Sequence, residues 1–277
     1  MPHCQTFKQK IKELKIKAQN IEALLSEYKK TVDKQIAEEI DSLLKEIEKF
    51  KQEFKIKATQ LIEEFVQRRE NKYKKVEIIF DEKDVRFIIK GDLNFSSRTH
   101  LDDFPNLIKE ITGYFLPLSA QTINLPNIEK IGGHFFAHDA QTINLPNLKK
   151  IGEYFSAQLA QTINLPNLKE VGKYFYAYNA QTINLPNLEK IGGAFHTEKV
   201  QTINLPNLKE VGGSFRAPNA LTINLPNLKE IGGDIFFNED NSNLNSLVEL
   251  AREWRAKGIL KGKIYKVIKE GINVEIP

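Results

Sequence analysis

The chain has 277 residues, 41% hydrophobic and 27% charged, which excludes both a disordered and a membrane-embedded polypeptide and predicts one or two soluble domains. No stretch holds the roughly 20 apolar residues that span a bilayer. Met1 to Lys8 lack the apolar run of a secretory signal, and one cysteine, Cys4, excludes an internal disulfide, so a cytoplasmic location is expected.

Residues 1–72 are expected to form a helical coiled-coil segment. Phe7, Ile11, Leu14, Ala18, Ile21, Leu25, Tyr28 and Val32 alternate steps of four and three, the spacing of a coiled-coil seam. The series continues through Ile36, Ile40, Leu43, Ile47, Phe50, Phe54, Ala58, Leu61 and Phe65 with two extra steps of four, which relaxes a left-handed supercoil. Two arrangements fit this spacing. In one, residues 5–70 form a single helix roughly 100 Å long whose stripe joins copies into a homo-oligomer. In the other, the chain folds back near Thr31-Val32-Asp33 and two helices cover each other. This segment also carries the net charge of +4, because residues 1–75 hold 18 Lys/Arg against 13 Asp/Glu and the remainder holds 22 against 23. The signs are interspersed, as on a solvated helix, whereas phosphate tracking needs a dense basic stripe. Nucleic-acid binding through this segment is therefore a minor alternative.

Residues 73–120 are expected to form an N-terminal β cap and a degenerate first repeat. Val76 to Phe80 and Val85 to Ile89, separated by Asp81-Glu82-Lys83-Asp84, have the pattern of a hairpin. Phe104-Pro105-Asn106-Leu107 and Gly113-Tyr114-Phe115 match the framework of the blocks that follow.

Residues 121–240 are six blocks of 20, starting at Gln121, Gln141, Gln161, Gln181, Gln201 and Leu221. A fixed period of this length marks a solenoid. Ile123 and Leu125 alternate with Thr122 and Asn124, the period of a half-buried strand, and Pro126 stops it. In the second block Leu148, Ile151, Phe155 and Ala157 continue the inward set. Gly152 gives a flexible corner before a second short strand around Phe155. One coil is thus expected to hold two strands, stacked so that Leu125 and its copies, and Phe135 and its copies, form continuous core columns.

The run Leu225-Pro226-Asn227-Leu228-Lys229-Glu230-Ile231-Gly232-Gly233, followed by Asp234 and Ile235, resembles a leucine-rich repeat. It is most similar to the BspA-like bacterial type and to the receptor L domain, over residues 104–237. The resemblance implies a mainly β solenoid of leucine-rich-repeat-like 20-residue coils, behind the α-helical coiled-coil or helical-hairpin segment, that serves as a binding surface.

Residues 241–277 are expected to be a C-terminal cap. Asn245 or Ser246 caps a helix that runs through Leu247, Leu250, Ala251 and Trp254 to Gly258, with Trp254 resting on the last coil, and a hairpin follows with Gly271 at its turn.

The six blocks also allow an internal comparison. Thr122 and Asn124 recur in every copy, and Asn127 recurs as a corner residue. The outward positions of the second strand diverge, as in His134, Tyr154, Tyr174, Ala194 and Ser214. Divergence confined to one face, rich in aromatic residues, is expected of an interface. The candidate ligand-binding residues are His134, Phe136, His138, Tyr154, Tyr174, Tyr176, Tyr178, His196 and Arg216. A protein or peptide is the expected partner, with a stacking carbohydrate as a second ligand class. Neutral drift on the face of a structural spacer or surface-assembly protein is the competing explanation. No Gly-x-Ser-x-Gly elbow, phosphate loop or dinucleotide fingerprint occurs. His134, His138 and Asp139 lack a third firm zinc ligand in the next coil. A non-enzymatic chain with no metal or cofactor is expected.

Overall fold

The computed structural model describes residues 16–25, 34–67, 76–81, 86–95, 101, 104–268 and 271–277. The chain divides into two compact units, Met1–Leu61 and Ile62–Pro277, with the division inside a helix.

In the first unit residues 16–25 are helical (α1), and α2 is Lys34–Gln67. Helix α2 contains neither Gly nor Pro, so its backbone ladder runs unbroken. Ile40 and Ala58 are buried, and Leu44, Ile47 and Phe54 are half-buried. Lys51 Nζ lies 2.6 Å from Glu22 Oε1, which places α1 alongside α2. Phe7, Ile11, Leu14, Tyr28, Val32 and the expected fold-back at Thr31-Val32-Asp33 lie outside the described residues.

The second unit is a β-solenoid of about seven coils of roughly 20 residues. Each full coil carries three strands, one more than the alternation in the sequence implies. In the second coil these are Thr142–Asn144, Lys150–Ile151 and Phe155–Ser156. The extra strand is two residues long, too short to show a period of two. Neighbouring coils pair in parallel and in register: Ile143 with Ile123 and Ile163, Ile151 with Ile131 and Val171, Phe155 with Phe135 and Phe175. Stacking of the coils therefore builds three sheets. The Leu145, Leu148, Ile151, Phe155, Ala157 and Ala160 side chains and their copies fill the space between them. Phe135, Phe155, Phe175, Phe195 and Phe215 form one stack with ring centroids 4.6 to 5.4 Å apart, each fully buried.

Close approach between coils fixes the corner residues. A Cβ on Gly172 would lie 1.8 Å from the carbonyl oxygen of Gly152, and one on Gly152 would lie 1.9 Å from that of Gly132. The glycine is there for space, not for a flexible corner, and positive φ is confined to Gly91, Gly258 and Gly271. The Asn after each Pro ties coils together: Asn147 Nδ2 donates to the Pro126 carbonyl (2.6 Å) and Asn167 Nδ2 to that of Pro146 (2.7 Å). On the nine-stranded sheet, charges pair between coils, as in Lys130–Glu110 (2.6 Å), Lys150–Glu170 (2.8 Å) and Lys190–Glu210 (2.7 Å).

The third sheet is split. Strands Thr122–Asn124 to Thr182–Asn184 form one part, and Thr202–Asn204 with Thr222–Asn224 another. The coil at the split carries Val200 where four other coils have Ala, and Thr197 where others have Ala. Both are buried, and the Thr197 hydroxyl finds no hydrogen-bond partner. The split therefore coincides with the coil in which the buried side chains are larger.

Both ends are closed. Glu77–Asp81 and Arg86–Lys90 (β1 and β2) pair antiparallel, and β2 then joins the nine-stranded sheet in parallel; residues 82–84 of the expected turn and Val85 of the expected second strand lie outside the described residues. Leu93–Asn94 begins the ten-stranded sheet, so the cap continues the coil geometry one step further than the sequence pattern indicates. Phe65, from the last turn of α2, meets Phe95 and Phe104 at 5.7 and 5.6 Å. At the other end the helix Leu244–Ala256 (α3) is capped two to three residues earlier than the expected Asn245 or Ser246. Its N-cap is Asn243, whose Nδ2 donates to the Leu221 carbonyl rather than the side chain capping the helix. Gly258 (φ 72°) ends it and Trp254 is buried. Strands Ile264–Val267 and Asn273–Ile276 pair antiparallel around Gly271.

Candidate recognition surface

The ten-stranded sheet, built from Phe135–Phe136 and its copies, presents three outward columns. Because Phe135, Phe155, Phe175 and Phe195 are buried and in register, their neighbours on either side must project outward at the roughly 4.8 Å spacing of strands. The first column is His134, Tyr154, Tyr174, Ala194 and Ser214. The second is Phe136, Ser156, Tyr176, His196 and Arg216, and the third is His138, Gln158, Tyr178, Glu198 and Pro218; Ser156 and Pro218 are buried, so these two positions do not meet solvent as the alternation predicts.

The rings in these columns touch. His134 meets Phe136 at 5.0 Å and Tyr154 at 4.5 Å; Tyr154 meets Tyr174 at 5.1 Å; Tyr174 meets Tyr176 at 5.5 Å with planes 5° apart. Tyr176 continues to Tyr178 (6.0 Å), Tyr178 to His196 (4.5 Å), and His138 lies 6.0 Å from Phe136. Eight of the nine residues singled out from the sequence thus form one run of ring contacts. The ninth, Arg216, joins through Glu198. Glu198 Oε1 lies 2.7 Å from His196 Nε2 and 3.0 Å from Arg216 Nε. The Arg216 guanidinium also lies 5.2 Å from the centre of the Phe236 ring.

Mutual stacking leaves most of these rings half-buried rather than fully exposed. In the stacked pairs Tyr154–Tyr174, Tyr174–Tyr176 and Tyr176–Tyr178 the ring planes lie within 24° of one another. Burial, then the neighbouring Tyr178, Tyr174 and Tyr154, pushes the Tyr176 phenol above its usual range, so the hydroxyl stays protonated and able to donate. His134 is held below the usual imidazole range chiefly by burial. Its Nδ1 is 3.0 Å from Glu153 Oε2 without the alignment of a hydrogen bond.

The sequence reading missed Tyr114, whose ring stacks on His134 at 4.3 Å. Its position before Phe115 in the degenerate coil was the available signal. Glu198 was also missed, because its role depends on contacts with His196 in its own strand and Arg216 in the next coil. Comparison with known protein families, with characterised proteins and with solved structures returns no match. Among the described residues no group of three or more His, Cys, Asp or Glu is placed to hold a metal ion, and no helix is long and apolar enough to cross a membrane.

The sheet of Thr122–Asn124 and its copies is a contrasting surface. Its Asn side chains bond from coil to coil: Asn144 to Asn124, Asn164 to Asn144 and Asn184 to Asn164, at 2.6 to 2.8 Å. That ladder gives the repeated Asn a structural role and leaves no side chain specific to one coil.

Proposed function

We propose that this chain is a non-enzymatic recognition module that binds a protein or peptide across the outward face of its ten-stranded sheet, and that its helical unit attaches the module to a partner or another copy. The observation that carries the reading is the location of the divergence. Six blocks share one framework, and their coil-specific side chains converge on a single aromatic and ionic band from His134 to Arg216. Rings, hydroxyls and a Glu–His–Arg cluster suit the mixed chemistry of a polypeptide. A sugar that stacks needs an open ring face, and in Tyr154–Tyr174, Tyr174–Tyr176 and Tyr176–Tyr178 the rings stack on one another. The reading keeps the likeness to leucine-rich repeats of the BspA-like and L-domain kinds and a cytoplasmic setting, the latter supported by the single cysteine.

A structural spacer is the second reading, favoured by the stacking itself, since each aromatic pair contributes about 0.5–1.5 kcal/mol. Affinity purification from the native cell with two matched variants separates the readings. One replaces Tyr154, Tyr174 and Tyr176 by Ser, and the other replaces Thr142, Thr162 and Thr182 by Ser. A recognition module loses its partner in the first and retains it in the second, with both chains folded by circular dichroism. Equal recovery in both supports the spacer.

A further inference from the structure

The apolar side chains of α2 form two strips, and among the described residues only one is covered. At 3.6 residues per turn, Ile40, Leu44, Ile47 and Ala58 fall on one line, the buried or half-buried side. Ile36, Leu43, Phe50 and Leu61 fall on a second line roughly a sixth of a turn away, separated by steps of 7, 7 and 11 residues. These four are 48%, 50%, 58% and 67% exposed. Helix α1 lies against α2 through Glu22 and Lys51, yet it too leaves Ile21 and Leu24 in water, at 42% and 54%. An intramolecular pair of helices and self-association are therefore not alternatives: α2 is apolar over a face wide enough for both.

We propose that the helical unit joins two copies of this chain, with the strip Ile36, Leu43, Phe50 and Leu61 of each copy packed against the helices of the other in a four-helix arrangement. This develops the attachment half of the proposed function and is independent of the recognition half. Three observations select a second copy as the occupant. Large apolar residues at steps of 7, 7 and 11 stay on one line of a helix and form a ridge that fits against another helix, whereas an extended peptide presents a period of two. The charges along the sequence are complementary: residues 1–33 carry seven lysines against four acids, and residues 34–67 carry six against eight. Glu39, Glu46 and Glu53, also 7 apart, border the exposed strip and give a second copy's basic side chains a line of carboxylates to meet. Ile21, Leu24, Ile36, Leu43, Phe50 and Leu61 together leave on the order of 600 Å² of apolar surface per chain, near the roughly 800 Å² per partner of a stable interface.

Sedimentation velocity of the full chain over micromolar concentrations tests the proposal. The expected species has twice the 31.8 kDa of one chain. Leu43→Glu with Phe50→Glu should weaken dimerisation about 100-fold or more without changing the unfolding midpoint of the solenoid, and Ile56→Glu, also apolar and exposed but on the far side of α2, should leave the dimer intact. If the doubly charged chain loses helix content, Phe50→Ser alone serves, with at least a tenfold weakening expected. A wild-type chain that stays monomeric, a dimer that survives these changes, or one that Ile56→Glu breaks equally would overturn the proposal. None of these results bears on partner binding by the solenoid, which is read by the tyrosine variants.

Discussion

Two of the three outward faces of the solenoid are built from the same six blocks with the same core behind them, yet one is uniform and the other is individual. On the Thr-Ile-Asn face an amide ladder links successive coils, so a change in one coil breaks bonds with both neighbours. On the Phe face the outward side chains are held by contacts that differ at every step: Tyr on Tyr, Tyr on His, Arg on Glu. Uniformity follows from bonds between identical groups, and a face without such bonds is available for coil-specific chemistry. The comparison is useful because the shared interior can be perturbed separately from either face.

The largest effect is expected in that interior. Phe175→Ala removes a ring held between Phe155 at 4.6 Å and Phe195 at 5.4 Å, and should cost about 3–5 kcal/mol in urea unfolding while impairing both faces alike. Next comes the corner. Gly172→Ala places a Cβ 1.8 Å from the Gly152 carbonyl, so the coils must separate, and about 1–3 kcal/mol is expected from forcing volume into a close-packed site. Binding that tolerates either loss of stability would show the faces to be less dependent on register than the parallel pairing implies.

Much of this scaffold was legible in the residues. The period of 20, the inward Leu, Ile and Phe positions and the placement of the outward columns follow from repetition, which reports each position six times. What was not legible depends on contacts between coils. Lys150–Ile151 is too short to announce itself as a strand, and the corner glycine signals backbone freedom when its role is clearance. The split beside Val200 and Thr197 is a feature of pairing between coils that no periodicity records. The nine candidate residues could be assigned to one face, but the stacking of ring on ring, and the part played by Tyr114 and Glu198, required the stacked coordinates.

A smaller effect is expected on the uniform face. Asn164 donates to Asn144 at 2.7 Å and accepts from Asn184 at 2.6 Å, so Asn164→Ala interrupts the ladder in both directions. Exposed neutral hydrogen bonds contribute about 0.5–1.5 kcal/mol each, and a loss at the low end of that range is expected in thermal or urea unfolding. Partner binding should be unchanged, because this sheet is not the proposed contact surface.

The smallest effect, on the individual face, depends on pH. Burial pushes the Glu198 carboxyl upward, but the hydrogen bonds from His196 and Arg216 outweigh it and hold the group below the usual carboxylate range. A carboxyl whose folded value is depressed binds its proton less readily folded than unfolded. Its contribution to stability is therefore full above the unfolded value of about 4.3 and is lost as pH falls through the lower folded value. The side chain is about one-third exposed, so solvent screening keeps the contribution within about 1 kcal/mol. Glu198→Gln should be less stable than the parent chain at neutral pH, and the gap should close as the medium is acidified toward full protonation of the carboxyl. The same titration on Asn164→Ala should show a constant gap, because the Gln, Thr and Asn of that face do not titrate. A gap at Glu198 that does not narrow in acid would mean that the His–Glu–Arg cluster is held by packing rather than by charge. The ionic part of the proposed contact surface would then have to be reassigned to the aromatic band alone.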